Sequence, residues 1–454
     1  MSSLSSLLGA PKTVVDTIPA VPGLPLIGNL IAFRRDKLAL SQAAADLGPI
    51  ARVSIGPMPV YIVTCGELAR EVLVERAASF HKSIGIQFLR PVLGDGLLSA
   101  EGEVHRRHRK LLAPAFAPRR LANYGEIMVA ETREQIARWS PGDRIDLAEE
   151  MMEMTLAIAG RTLFGVDIRR DADTVARGIA LAMRAMDAAT SSLVQLGDAW
   201  PLPRHLRMRR AVRMLDDVVF RLIAEGRALG TDRGDVLSML LIARDEDDGS
   251  QLADREVRDE VMTLVLAGHE TTANTLTWTW YELGRNPAAL AELEAEVRRV
   301  LGGRPVTAAD LPALPWTAAV IDEAMRLHPP AYRIGRKAVC EVEVGGHRLP
   351  ARSIVLVNVR DIHRRADYYP EPLAFRPERM LADAKKPRPR HHYLPFGAGP
   401  RVCIGAHFAL MEAQLALATM MQGAKLRLLS TDVAPEPLIT LRPRGGMPAI
   451  VERC

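Results

Sequence analysis

Cysteine is scarce in this chain: four in 454 residues, at Cys65, Cys340, Cys403 and Cys454, with no C-x-x-C spacing among them. That excludes a disulfide framework and a four-cysteine metal or iron–sulfur set, and it points to a reducing compartment. Long apolar runs are also missing. Leu4, Leu7 and Leu8 lie among serines and are followed by Pro11 and Lys12, so nothing there approaches the roughly 18 residues that cross a bilayer. The start has no cationic segment of the secretory kind, which makes a soluble, cytoplasmic protein the expectation. No low-complexity block, fixed-period repeat or linker divides the chain, so one domain over 1–454 is expected, with 1–18 a flexible tail. A net charge of +5 and 5% aromatic residues argue against a nucleic-acid binder. The basic run HRRHRK at 105–110 lacks interleaved aromatics and reads instead as a patch that steers an acidic protein partner. With 48% hydrophobic and 25% charged residues the chain is globular, and its length suffices to enclose a cofactor.

The most informative feature present is the run FGAGPRVCIG at 396–405, a glycine-rich turn that delivers Cys403 to the start of an apolar helix reaching about Gln422. A thiolate is a soft, electron-donating axial ligand for haem iron. Unpaired N–H groups at a helix start lower a cysteine pKa and bond the sulfur. Gly397, Gly399 and Gly405 permit positive φ or close approach to a macrocycle, Phe396 covers the sulfur from water, and Arg401 reaches a haem propionate. Taken alone, one cysteine near a helix start is more often a small buried hydrophobe than a ligand.

Zinc is the competing metal, because His269-Glu270 begins like a zincin helix. The second histidine would have to stand at Ala273, so the motif fails. The pairs His105/His108 and His391/His392 have no carboxylate or cysteine nearby in sequence, and read as solvated or haem-edge groups.

Helical spacing of small and apolar residues predicts a long helix over about 254–283 that carries AGHETT at 267–272. Glycine beside two threonines weakens a helix and invites a bulge facing a cofactor, or else the hydroxyls simply bond their own helix's carbonyls. Glu323 and Arg326 stand three apart on a helix ended by Pro329-Pro330. A hairpin is expected over 51–64 and further strands over 339–359 around Gly345-Gly346. Residues 175–225, broken at Trp200-Pro201-Leu202-Pro203, suit a pair of lid helices.

Together these motifs resemble the cytochrome P-450 family, whose cysteine loop has the form F-G-x-G-x-R-x-C-x-G. The resemblance runs from the proline-rich segment IPAVPGLPLIGNL at 18–30 to the cysteine helix. It implies a mainly α fold with small β-sheets, a triangular helical haem domain, that binds haem b through Cys403 with Phe396, Arg401 and Gly405 around it. It maps an oxygen-side motif onto Ala267, Gly268, Glu270 and Thr271, where acid and alcohol supply protons. It implies a structural triad of Glu323, Arg326 and Arg379, and propionate contacts from Arg336, Arg109 and His105, the last standing where the family has tryptophan. Substrate-pocket positions would be Ile84, Ile86, Phe88, Leu89, Tyr332 and Ile334. The implied activity is a monooxygenase that inserts one atom of O2 into an apolar or amphipathic small molecule, a fatty acid, terpenoid, steroid or macrolide-like compound. NAD(P)H-derived electrons would arrive from a separate ferredoxin or flavodoxin and its reductase. A peroxide-driven or rearranging haem-thiolate enzyme and a non-catalytic haem sensor are the alternatives.

Overall fold

The computed structural model describes residues 18–190, 202–244, 249–382 and 389–452. The expected tail lies outside these residues except for Ile18, which is packed into a hydrophobic cluster with Ile50, Tyr61 and Val355, so the ordered fold already includes that residue. Trp200, Pro201 and Cys454 also lie outside the described residues.

The axis of the fold is a helix over Asp254–Arg285, about 48 Å long at 1.5 Å per residue. Between Val257 and Leu283 every residue except Ala267, Gly268 and Thr271 is buried, including the charged Arg258, Asp259, Glu260, Glu270 and Glu282, so protein surrounds this helix. Helices Leu147–Phe164, Pro203–Leu229, Pro315–Leu327 and Ala406–Gly423 supply that surround. Acidic residues at Asp254 and Glu256 favour its N-terminus, and Glu256 also accepts a 2.9 Å hydrogen bond from the Ala253 amide.

Of the two readings of AGHETT, the second holds. The helix is continuous, and Thr271, Thr275, Thr277 and Thr279 each donate to the carbonyl four residues earlier, at 2.7–3.0 Å.

A five-stranded sheet lies beside the helices in the spatial order Ile50–Ile55, Met58–Val63, Ile354–Val357, Ile334–Ala338, Phe80–Lys82. All neighbours are antiparallel except the second and third. The first two form the hairpin read from the sequence, and Gly345 and Gly346, at φ of 59° and 79°, turn a second hairpin between Val342–Val344 and His347–Leu349. The register of the edge strand sets Lys82 opposite Arg336. A small hairpin of Pro435–Pro437 and Leu441–Pro443 reaches the central helix. Helices Ala172–Thr190 and Pro203–Leu229 pack on one another as the expected lid pair.

Candidate active site

The cysteine loop is closed by its own backbone. The Cys403 amide donates to the Phe396 carbonyl at 3.0 Å, and the Val402 amide to the Gly399 carbonyl at 3.0 Å. Gly397 and Gly399 both have φ of +71°, and a Cβ at 399 would stand 1.9 Å from the Leu73 carbonyl oxygen, so glycine is required there twice over. Gly405 differs. Its φ is −89°, and a Cβ would meet only Phe116 at an ordinary 3.6 Å, so no backbone strain explains it.

The helix starts at Ala406, three residues past the cysteine, and the electrostatics run against the sequence expectation. Burial pushes the Cys403 thiol up, outweighing the Gly405 amide, Arg109 and Lys82, which favour the anion. The free side chain is therefore a thiol at neutral pH, and it becomes a thiolate when a metal ion takes the place of the proton.

Cys403 is exposed by surface area, yet protein surrounds it deeply enough for burial to dominate its chemistry. Lys82 is likewise half-exposed but strongly desolvated. An internal cavity reconciles the two observations. The central helix opens onto interior space at one place only between Val257 and Leu283: Ala267 is exposed and Gly268 and Thr271 are half-exposed, while every other residue is buried. These positions, at i, i+1 and i+4, share one face.

Basic groups gather at the same depth. Lys82, pushed down to about 7 by burial and by Arg336 and Arg401, also feels Glu101 and Cys403. Burial with Arg401, Arg109 and Lys82 holds His105 down to about 4, so its ring is neutral at pH 7. Arg336 is buried and pushed down to about 10 by that burial and by Arg401. Arg401 bonds the Ala100 carbonyl at 2.6 Å and pairs with Glu101, and Arg109 donates to the Val402 carbonyl at 2.9 Å. Buried cations gathered around one carboxylate, Glu101, want a further anion. These residues fit a haem: Cys403 would hold its iron, and Arg336, Arg401, Lys82 and His105 would hold its propionates.

Only part of the basic run at 105–110 faces solvent: Arg106 and Lys110 are exposed. Helix Gly102–Leu112 turns His105 and His108 inward; His108 Nδ1 lies 2.7 Å from Glu260 on the central helix, and Arg107 bonds Glu256 at 2.8 Å.

The structure separates the expected acid and alcohol. Thr271 Oγ1 faces the open side of the helix and donates to the Ala267 carbonyl at 2.8 Å. Glu270 is buried, and its carboxylate accepts from Arg442 Nε at 2.7 Å and from the Thr440 hydroxyl, both on the small hairpin. Arg442, Thr440 and Glu101 escaped the sequence reading because each bonds a partner far along the chain, and Lys82 because only strand pairing sets it opposite Arg336. Glu412 of the cysteine helix escaped it too; it lies against Thr272, and burial raises its carboxyl well above the usual range.

The triad is assembled as expected. Arg326 grips Glu323 with two 2.8 Å bonds, Arg379 Nε stands 3.1 Å from Glu323, and neither Glu323 nor Arg326 has any exposed surface. Arg326 also donates to the His363 carbonyl at 2.8 Å, and the His363 ring accepts from the Leu394 amide at 2.7 Å. Leu394 is the residue from which the cysteine loop departs, so the triad supports that loop through two bonds.

A cavity of about 320 Å³ opens between the sheet and the lid, walled by Ile84, Ile86, Phe88, Leu89, Tyr332 and Met186. Ile334, expected among them, stands elsewhere: it shares a strand face with Arg336 and lies against Gly397 of the cysteine loop. Gly335, on the alternate face, lines the cavity in its place.

A family model for cytochrome P-450 matches residues 19–447. Cyclooctatin synthase of Streptomyces melanosporofaciens is 38% identical over 92% of this chain and 92% of its own. Cyclooctat-9-en-7-ol 5-monooxygenase of the same organism is 35% identical, over 96% and 95%, and pentalenene oxygenase of Streptomyces avermitilis 35%, over 94% and 95%. Among solved structures, the cytochrome P450DA heme domain superposes with a TM-score of 0.87 at 26% identity, over 96% of this chain and 98% of that one.

Proposed function

The chain belongs to the cytochrome P-450 family and is a haem-thiolate monooxygenase, and we propose that it hydroxylates an apolar terpenoid. The observation that carries this substrate class is the cavity of about 320 Å³, whose walls are built largely of aliphatic and aromatic side chains. The terpenoids in the names of the bacterial relatives support it. Mixing the protein with sesquiterpene and diterpene hydrocarbons and alcohols is expected to displace water from the iron and shift the haem spectrum. Turnover under labelled O2 is then expected to add one labelled oxygen. Spectral shifts with fatty acids or macrolides and none with terpenoids would overturn the assignment.

When bound, haem b supplies the activation of O2. The chain's own part is to hold Cys403, exclude water and deliver protons. We assign proton delivery to Thr271 Oγ1, whose hydroxyl bonds the Ala267 carbonyl here and delivers its proton when it turns to the open side, its lone pair taking a replacement proton from water. Glu270 is the upstream acid, and it serves only when its carboxylate exchanges Arg442 for water. Thr271→Ala is expected to retain haem and consume NAD(P)H while releasing much of the reducing power as hydrogen peroxide. An unchanged yield of product per NAD(P)H would remove Thr271 from this role.

Electrons are proposed to come from NAD(P)H through a separate ferredoxin or flavodoxin and its reductase. The outer side of the cysteine loop borders a groove lined by Gly397, Ala398, Gly399 and Val402 with Arg70 and Arg390, the place from which an acidic donor comes nearest to Cys403. Among the described residues no helix is long and apolar enough to cross a membrane.

A further inference from the structure

The sequence gives His391 and His392 no carboxylate within reach, but the fold does. Helix Gly66–Arg70 brings Glu67 to them from 325 positions away. Glu67 Oε1 lies 3.0 Å from His392 Nε2 and 3.6 Å from His391 Nε2, and the three ligand atoms are all within 4.8 Å of one another. A tetrahedral ion with ligand bonds of about 2.0–2.1 Å has ligand edges of about 3.3 Å, which those two distances bracket.

The surroundings are those of a built site. Tyr368 donates its hydroxyl to the other oxygen of Glu67 at 2.5 Å, accepts from the Gly66 amide at 3.1 Å, and stacks on His392 with ring centroids 3.5 Å apart. An outer group that orients a ligating carboxylate is characteristic of metal centres. Gly66 makes the room: its φ is not positive, but an added Cβ would fall 2.8 Å from a carbon of each imidazole. Two of the nearby cations are already paired, Arg70 with Glu75 at 2.6 Å and Arg365 with Asp367 at 2.7 Å.

We propose that Glu67, His391 and His392 bind one divalent transition-metal ion of the zinc and copper class, with water completing the coordination. Two imidazoles and one carboxylate suit Zn2+, Cu2+ or Ni2+ and not Mg2+. The ion would clip helix Gly66–Arg70 to the turn Arg390–His392, which leads into the cysteine loop, and a clip across so long a chain separation restricts the unfolded state strongly.

The test is a titration of tag-free, haem-loaded protein with ZnCl2 against a chromogenic zinc indicator, with thermal unfolding followed in parallel. Wild type is expected to take up one equivalent and to unfold at a higher temperature with zinc than without. His391→Ala and Glu67→Gln are expected to lose that equivalent and the thermal shift while keeping their haem, and Tyr368→Phe to bind about 10-fold more weakly. MgCl2 should leave the unfolding temperature unchanged. No uptake by wild type, or the same uptake by His391→Ala as by wild type, would overturn the proposal.

Discussion

Glu323→Ala is expected to accumulate as poorly folded protein with little or no haem. Glu323 receives two bonds from Arg326, one from the Arg376 amide at 3.0 Å, and the close approach of Arg379. Removing it leaves Arg326, which has no exposed surface, as a buried cation without its counter-charge. Breaking a buried ion pair in that one-sided way costs about 3–5 kcal/mol, a large part of the total stability of an ordinary domain. The loss falls on the cofactor first, because Arg326 also holds His363, and His363 holds Leu394 at the root of the cysteine loop. Soluble protein with haem content equal to wild type would contradict this route of support. Haem per chain, from the pyridine haemochrome, and the soluble fraction are the measurements.

What the sequence made legible was local. The cysteine loop, the long central helix and the hairpin all rest on spacing within a few tens of residues, and each stands where its pattern puts it. The triad needed the resemblance, since a glutamate and an arginine three apart on a helix are commonplace. What stayed hidden is pairing across the chain. Glu270 meets Arg442 across 172 positions, Arg401 meets Glu101 across 300, and His392 meets Glu67 across 325. No periodicity encodes such meetings.

The fold also decides readings that the residues left open. At Gly268 the helix is unbroken, and the Thr271 hydroxyl bonds its own helix's carbonyl. Strand alternation places Ile334 on the face of Arg336, against Gly397 of the cysteine loop. For the free Cys403 thiol, the one helix-end amide at Gly405 is weaker than the burial of the whole loop.

Cys403→Ser carries the second large effect, a complete loss of monooxygenase turnover. Serine has nearly the same shape, so the loop, held by the amide of residue 403 and by the glycines before it, has no reason to unfold. The change is electronic: a neutral oxygen is a hard, weak donor where the mechanism needs a soft anion. Haem retained by the variant would still touch the basic cluster of Arg336, Arg401 and Lys82, so pigment alone does not identify the ligand.

The decisive observation is the absorption spectrum of the dithionite-reduced protein under carbon monoxide, taken for wild type and Cys403→Ser together. A strongly red-shifted carbonyl band in wild type that is absent from the variant is the predicted result. A wild-type band typical of a histidine-ligated carbonyl, or the same red-shifted band in both proteins, would contradict a thiolate from Cys403 and with it the account of the site.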